Sequence, residues 1–139
     1  MADSSLDIAR AFVQAINQRD LVAMRALMTE DHTFTDALGN RMSGAEKMIA
    51  GWRSFFESIP EYWIRVDTAL AAGTKVALFG EAGGGWRVDN RVLDERWNVS
   101  AAWLVDVEAG KIRNWSVYCD TGWAKPPSTK TAEGETPPA

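Results

Sequence analysis

The chain is poor in the residues that most often carry metal or covalent chemistry, with one cysteine and one histidine. A single cysteine cannot form an internal disulfide, and one histidine among scattered acids offers no spacing typical of a metal site. Cys119 has no evident base beside it in the sequence, so we expect no thiolate nucleophile. The sequence also lacks a G-x-S-x-G nucleophile elbow. We therefore expect neither a metal nor another cofactor.

Positive charge and long apolar runs are also scarce. The 15 Lys and Arg residues are outnumbered by 19 Asp and Glu, which gives a net charge of −4 and a pI of about 5.0. A nucleic-acid partner would favour a basic stripe, so none is expected. No apolar run approaches the ~20 residues that span a bilayer, so no membrane partner is expected either. The N-terminal residues lack the pattern of a signal peptide, and we expect a cytoplasmic protein.

What the chain does have is enough apolar material for one domain. Of its 139 residues, 46% are hydrophobic, and a chain of this length buries roughly 68% of its unfolded surface. Seven residues are tryptophan, which fits either an aromatic core or a cavity walled by flat rings. Residues 1–123 are expected to form the domain. Residues 124–139 are polar and proline-rich, and we predict a disordered tail.

Helical patterns occupy the first half of the chain. Residues 4–17 have an apolar face and begin with Ser4 and Asp7 in the arrangement of a capping box. Asp20 is a candidate cap for a second helix over 21–28. Ser43 and Glu46 form another S-x-x-E box, and the helix that follows ends at Pro60. This third helix carries Met48, Ile49, Trp52, Phe55, Phe56 and Ile59 on one face.

Period-two patterns predict strands elsewhere. One lies over 32–36, and four more lie over 62–71, 75–88, 95–108 and 112–120. Helices followed by a meander of long antiparallel strands indicate an α+β class. A curved antiparallel sheet wrapped around three N-terminal helices would enclose a cone-shaped space.

The order and spacing of three stretches resemble the nuclear transport factor 2-like superfamily, and its SnoaL-like branch in particular. These stretches are "FVQAINQRDLVAMRALMTEDHTFTDALGNRMSGAEKM", "VALFGEAGG" and "VDVEAGKIRNWSVYCD". The resemblance covers the chain from Asp7 to Asp120. It implies the cone-shaped fold with a hydrophobic small molecule in its pocket, and it leaves the reaction open because the fold hosts many functions.

Three branches of the superfamily imply different site residues. In ketosteroid isomerases the base would be Asp36, but Phe12 replaces the oxyanion-hole tyrosine and Ala101 or Ala102 replaces a protonated acid. In limonene-epoxide hydrolases the catalytic groups would fall near Gly80 and Ala82 and on Val117, which departs from that pattern. SnoaL-type polyketide cyclases need only a hydrophobic pocket, an acid–base carboxylate and help with enolate charge.

The candidate catalytic residues are Asp36, Asp120 and His32. Asp36 ends the first strand, where it either acts as a base in an apolar pocket or bonds the N–H groups of the "ALGN" turn. His32 shares a strand face with Asp36 and is either a proton relay or a structural histidine. Asp120 ends the last strand, at the cavity mouth or in solvent.

The candidate ligand-binding residues are mostly aromatic: Phe34, Trp52, Phe56, Trp63, Trp103, Trp115, Val117 and Tyr118. With the three acid–base candidates they predict an isomerase, cyclase or hydrolase that acts on a hydrophobic small molecule. The alternative is a non-catalytic ligand-binding or dimerisation module of the same fold. Both faces of the strand over 95–108 are too apolar for plain solvent exposure, so we also expect a homodimer.

Overall fold

The structure is a computed structural model that describes residues 4–122. The predicted tail over 124–139 and the domain's boundary residues 1–3 and 123 lie outside the described residues. Three helices, a six-stranded sheet and a two-stranded hairpin make up the regular structure of the described part. This confirms the α+β class and the cone-shaped arrangement of a curved sheet around helices. Among residues 4–122, no helix has the length and apolar character needed to cross a membrane.

The three helices are α1 (Ser5–Gln18), α2 (Leu21–Ala26) and α3 (Ala45–Ser58). The predicted capping box of α1 is confirmed, because the Asp7 N–H donates to the Ser4 hydroxyl at 3.1 Å and the Ser4 N–H donates to the Asp7 carboxylate at 3.4 Å. Asp20 caps α2 as expected and accepts from the Ala23 N–H at 3.0 Å. The helix α2 ends two residues before its predicted end, because Met28 already belongs to a strand.

The capping box predicted for α3 is wrong. The residue before the helix is Gly44, whose φ of 103° turns the chain and which offers no side chain for a cap. Ser43 instead ends a short strand that the sequence analysis did not predict. Glu46 accepts from Arg25 Nε at 2.6 Å and so ties the start of α3 to α2.

The strands are β1 (Met28–Thr35), β2 (Arg41–Ser43), β3 (Trp63–Ala72), β4 (Lys75–Gly84), β5 (Arg87–Val88), β6 (Arg91–Val92), β7 (Trp97–Glu108) and β8 (Lys111–Cys119). The large sheet has the order β2-β1-β8-β7-β4-β3, and β5 and β6 form a separate hairpin. All neighbours in the large sheet are antiparallel except β1 and β8, which are parallel. The parallel pair differs from the sequence-based prediction, in which all strands are antiparallel.

The core lies between the helices and the inner face of the sheet. On β7 this face presents Ala101, Trp103, Val105 and Val107, all of them buried. Phe12 of α1 packs on Trp115 of β8 with 4.8 Å between ring centroids. The other face of β7 is only partly covered. The sheet therefore buries one face against the helices and leaves the other available to solvent or to a partner.

Candidate functional site

A cavity of about 330 Å³ opens between α3, the turn after β1 and the inner face of β7 and β8. Its volume lies within the range typical of small-molecule pockets. Most of the lining is apolar, and about half of the lining residues are aromatic. The lining residues are Phe34, Asp36, Ala37, Leu38, Met42, Met48, Gly51, Trp52, Phe55, Tyr62, Trp86, Trp103, Trp115, Val117 and Thr121.

Asp36 lies at the rim of this cavity and also organises the turn after β1. Its Oδ1 accepts from the Leu38 and Asn40 backbone N–H groups, each at 2.9 Å, and its Oδ2 accepts from Asn40 Nδ2 at 3.2 Å. Gly39 supplies the positive φ of 89° that the turn requires. A carboxylate has about four acceptor positions, so the turn leaves roughly one for a ligand. The base and turn-forming roles predicted for Asp36 are thus compatible in geometry.

The cavity wall is built around Trp52 of α3. Phe34 stands edge-on to Trp52 with a centroid distance of 6.1 Å, and Phe55 does so at 5.7 Å. Edge-to-face packing of this kind favours one fixed arrangement of rings. The aromatic wall is therefore already in place before a ligand enters.

Two hydroxyl groups complete the polar lining. Tyr62 is buried, and burial raises the pKa of its phenol well above the usual range, so the phenol is neutral at ordinary pH. Thr121 is half-buried at the end of the chain segment that follows β8. A neutral phenol and an alcohol can donate hydrogen bonds to a ligand oxygen. Within residues 4–122 no three His, Cys, Asp or Glu side chains gather as they would around a metal ion.

The cavity brings together six of the residues that the sequence analysis selected. They are Phe34, Asp36, Trp52, Trp103, Trp115 and Val117. The other five, His32, Phe56, Trp63, Tyr118 and Asp120, are outside its lining.

His32 lies in the core instead of the cavity. It is fully buried, and its Nδ1 donates to the Ile112 carbonyl oxygen at 2.8 Å. Phe12 packs 6.3 Å from its ring. Burial lowers the pKa of the imidazole below its ordinary value. These contacts are those of a structural histidine and leave His32 outside the cavity where a proton relay would act.

Strand alternation and helix geometry explain the other four positions. Val117 faces the cavity, so its neighbour Tyr118 points outward and is 57% exposed. Asp120 is exposed and accepts from the Gly122 N–H at 2.8 Å. Trp63 is partly exposed at the start of β3, whereas its neighbour Ile64 is buried. Phe56 is buried but lines a separate depression on the other side of α3.

Several residues that line the cavity were not among the candidates from the sequence. For some of them, the spacing along the sequence could have indicated their position. Met48, Gly51, Trp52 and Phe55 follow one another at spacings of three, one and three residues, which places them on one side of α3. From the sequence alone, this spacing places Phe55 on the cavity side of α3 and Phe56 off that side. Trp86 lies between β4 and β5 and Tyr62 lies just before β3, where no periodic pattern indicates a direction.

The comparisons with known proteins point to one family. The model of the SnoaL-like domain matches residues 9–115. A candidate polyketide cyclase from Xanthomonas campestris pv. campestris is 19% identical, with a TM-score of 0.78 over 86% of this chain and 93% of that one. A protein with a ketosteroid isomerase-like fold from Catenulispora acidiphila, solved with trimethylamine, is 22% identical, with a TM-score of 0.71 over 80% and 83%.

A third similar structure is an "LEH-like" epoxide hydrolase from M. tuberculosis, 16% identical, with a TM-score of 0.73 over 84% of this chain and 83% of that one. At these identities the structural similarity establishes the fold of this chain but does not indicate its activity. No curated protein sequence matches the chain significantly. The family match spans most of the chain, and the chain belongs to the SnoaL-like domain family within the nuclear transport factor 2-like superfamily.

Proposed function

We propose that this protein binds a hydrophobic small molecule in the aromatic cavity and transfers a proton on it through Asp36. The observation that carries the proposal is the position of Asp36. It is the one carboxylate among the described residues that line the cavity, and it keeps acceptor capacity beyond its turn hydrogen bonds. The names of similar structures, which include a candidate polyketide cyclase, support a small-molecule enzyme.

A single carboxylate in an apolar cavity fits proton abstraction next to a carbonyl group. In this step the C–H bond breaks, the proton moves to Oδ2 of Asp36, and the electron pair becomes an enolate. The Tyr62 phenol is a neutral donor in the same lining and can stabilise the enolate oxygen. In a cyclisation, the enolate carbon attacks a second carbonyl group and the resulting alkoxide takes the proton back from Asp36. In an isomerisation, Asp36 returns the proton to a different carbon of the conjugated enolate.

Comparison of the branches favours the cyclase type. The position of the isomerase tyrosine is Phe12, which is fully buried and has no hydroxyl. The first pair of hydrolase catalytic groups is expected near Gly80 and Ala82, and at Gly80 a Cβ would lie 1.9 Å from the Arg65 carbonyl oxygen, so no side chain fits there. A polyketide cyclase needs neither group, and an extended aromatic ketone suits a wall of flat rings.

The second candidate is a non-catalytic ligand-binding module. The observation that favours it is the three hydrogen bonds that Asp36 already accepts from its own turn. In that case Asp36 shapes the rim and has no chemical role. The enzyme and the binding module predict different effects on activity when a substitution removes the charge of Asp36 but keeps its shape.

The test uses 1-tetralone, a bicyclic aromatic ketone with exchangeable protons next to its carbonyl group. In D₂O we expect the wild-type protein to speed deuterium uptake at that carbon, as followed by proton NMR. Asp36→Asn keeps an oxygen for the Leu38 and Asn40 N–H groups but cannot accept the proton. We expect the variant to bind 1-tetralone as before and to lose about 10²- to 10⁴-fold in the exchange rate.

Full exchange activity in Asp36→Asn would contradict the role of Asp36 as base. Binding of 1-tetralone by the wild type without any faster exchange would favour the non-catalytic module. Thermal unfolding of both proteins serves as the control for an intact turn.

We further propose that the protein is a homodimer that pairs through the outer face of the large sheet. Phe79 of β4 lies opposite Ala102 of β7, which in turn lies opposite Tyr118 of β8. Phe79 is 45% exposed and Tyr118 is 57% exposed, so this row is apolar and open. Contiguous apolar surface of this kind is typical of a protein interface. A cytoplasmic location remains a prediction from the sequence.

A further inference from the structure

A second depression, of about 410 Å³, lies on the other side of α3 from the cavity. It is lined by Arg19, Leu21, Arg53, Phe56, Glu57 and Arg87. The three arginines come from the C-terminal cap of α1, from α3 and from β5. Three guanidinium groups and one carboxylate give the lining a formal charge of +2, in a chain whose net charge is −4. We call this depression the arginine site.

Arg19 is held rigidly in the arginine site. Its Nη1 donates to the Asn17 carbonyl oxygen at 3.1 Å and its Nη2 donates to the Tyr62 carbonyl oxygen at 3.0 Å. The guanidinium carbon also lies 5.9 Å from the centre of the Phe56 ring. A guanidinium group has five N–H donors, so roughly three remain. One of them, on Nε, is buried and has no partner among the described residues.

The other two arginines of the site, Arg53 and Arg87, differ from the basic residues that are paired with carboxylates. Arg25, Arg65, Lys75, Arg96 and Arg113 each lie within 4 Å of a carboxylate oxygen. Among residues 4–122, Arg53 and Arg87 form no such ion pair, although Glu57 lines the same depression. Their charge is therefore not neutralised within the described part of the chain.

We propose that the arginine site binds a small phosphomonoester. A phosphomonoester carries a charge of about −1.5 to −2 at pH 7, which matches the +2 of the lining. Guanidinium groups pair with phosphate oxygens through two parallel hydrogen bonds, and Arg53 and Arg87 have their donors available. Leu21 and Phe56 offer an apolar floor for the organic part of the ligand. The proposal is independent of the reaction proposed for the cavity.

The test measures the binding of phenyl phosphate and of inorganic phosphate to the full chain by isothermal titration calorimetry at low salt. We expect phenyl phosphate to bind, and to bind more tightly than inorganic phosphate. Arg53→Gln and Arg87→Gln should each weaken the binding of phenyl phosphate by about threefold to tenfold. The matched control is Arg10→Gln, which removes an exposed arginine of α1 that has no ion pair within residues 4–122, and it should leave the affinity unchanged.

A further variant separates the two sites. Gly51→Leu adds a side chain to the lining of the cavity and does not touch the arginine site, so phenyl phosphate should bind to it as to the wild type. Absence of phenyl phosphate binding would overturn the proposal. So would an equal loss of affinity in Arg10→Gln, which indicates general attraction of an anion, or a loss in Gly51→Leu, which indicates binding in the cavity.

Discussion

His32 lies on β1 and Asp36 directly follows it. The two residues show how the depth of burial decides the role of an ionisable side chain. His32 is fully buried in the core, and Asp36 is half-buried at the rim of the cavity. The alternation of β1 correctly indicates that His32 and Phe34 point to the same side, but it contains no information on depth. The sequence therefore could not separate the buried histidine from the residues that reach the cavity.

The buried state of His32 predicts a pH dependence of stability. Burial lowers the pKa of the imidazole in the folded protein, whereas the unfolded chain keeps a value of about 6.5. The unfolded state thus binds more protons below this pH, and the free energy of unfolding should fall as the pH falls from 7.5 to 5.5. The loss can reach about 1.4 kcal/mol per pH unit from this one group.

Urea unfolding at several pH values measures this effect. His32 is the only histidine in the chain, so the comparison with His32→Gln isolates it. We expect the variant to be less stable at pH 7.5 and to show a flatter dependence on pH. An unchanged slope in His32→Gln would mean that other groups cause the effect.

Among the elements, α1 was the most predictable and the connection into α3 the least. The helix α1 has both an apolar face and a local cap, and both signals lie within a few residues. The strand β2 and the positive φ of Gly44 depend on pairing with β1, which the S-x-x-E pattern of Ser43 and Glu46 conceals. The parallel pairing of β1 with β8 joins distant parts of the chain, so no local pattern could predict it.

The cap of α1 should contribute measurably to the stability of the protein. In Ser4→Ala the Asp7 N–H loses its acceptor, and the free energy of unfolding should fall by about 1 kcal/mol. Chemical denaturation of the two proteins measures the difference. The variant Ser5→Ala, one residue into the helix, is the control and should change stability by less than about 0.5 kcal/mol.

Two glycines should respond to the same substitution in opposite directions. In Gly80→Ala on β4 the new Cβ would lie 1.9 Å from the Arg65 carbonyl oxygen, so β3 must move and stability should fall by about 1–3 kcal/mol. In Gly51→Ala within α3 the nearest atom is Met42 Sδ at 3.9 Å, an ordinary contact. Because alanine favours the helix, stability should rise by about 0.5–1 kcal/mol.

Melting temperatures of these two variants show whether the first is less stable and the second more stable than the wild type. A Gly80→Ala protein as stable as the wild type would contradict the close approach of β3 and β4. A strongly destabilised Gly51→Ala protein would contradict the open space beside α3.

At the scale of the whole molecule, the sheet has a buried inner face and an outer face that exposes an apolar row of side chains. The proposed homodimer covers the outer face, where Phe79 and Tyr118 flank Ala102. Phe79→Asp places a charge on this surface, and we expect a monomer. Val22→Asp, on α2, is the control because Val22 is 82% exposed elsewhere on the protein, and it should leave the dimer intact.

Sedimentation velocity measures the mass of each protein in solution. A wild-type monomer at tens of micromolar concentration, or a dimer that survives Phe79→Asp, would contradict pairing through this face.

A binding titration of 1-tetralone is the direct test of whether the cavity between α3 and the sheet is the functional site. Gly51 lines the cavity, and a Cβ built there meets only Met42 Sδ at 3.9 Å, so Gly51→Leu should fill part of the space. Calorimetry on the wild type should detect saturable binding, and the same titration on folded Gly51→Leu should detect at least about a tenfold weaker affinity. Equal affinity in the two proteins would show that the ligand binds elsewhere and would contradict the assignment of this cavity as the functional site.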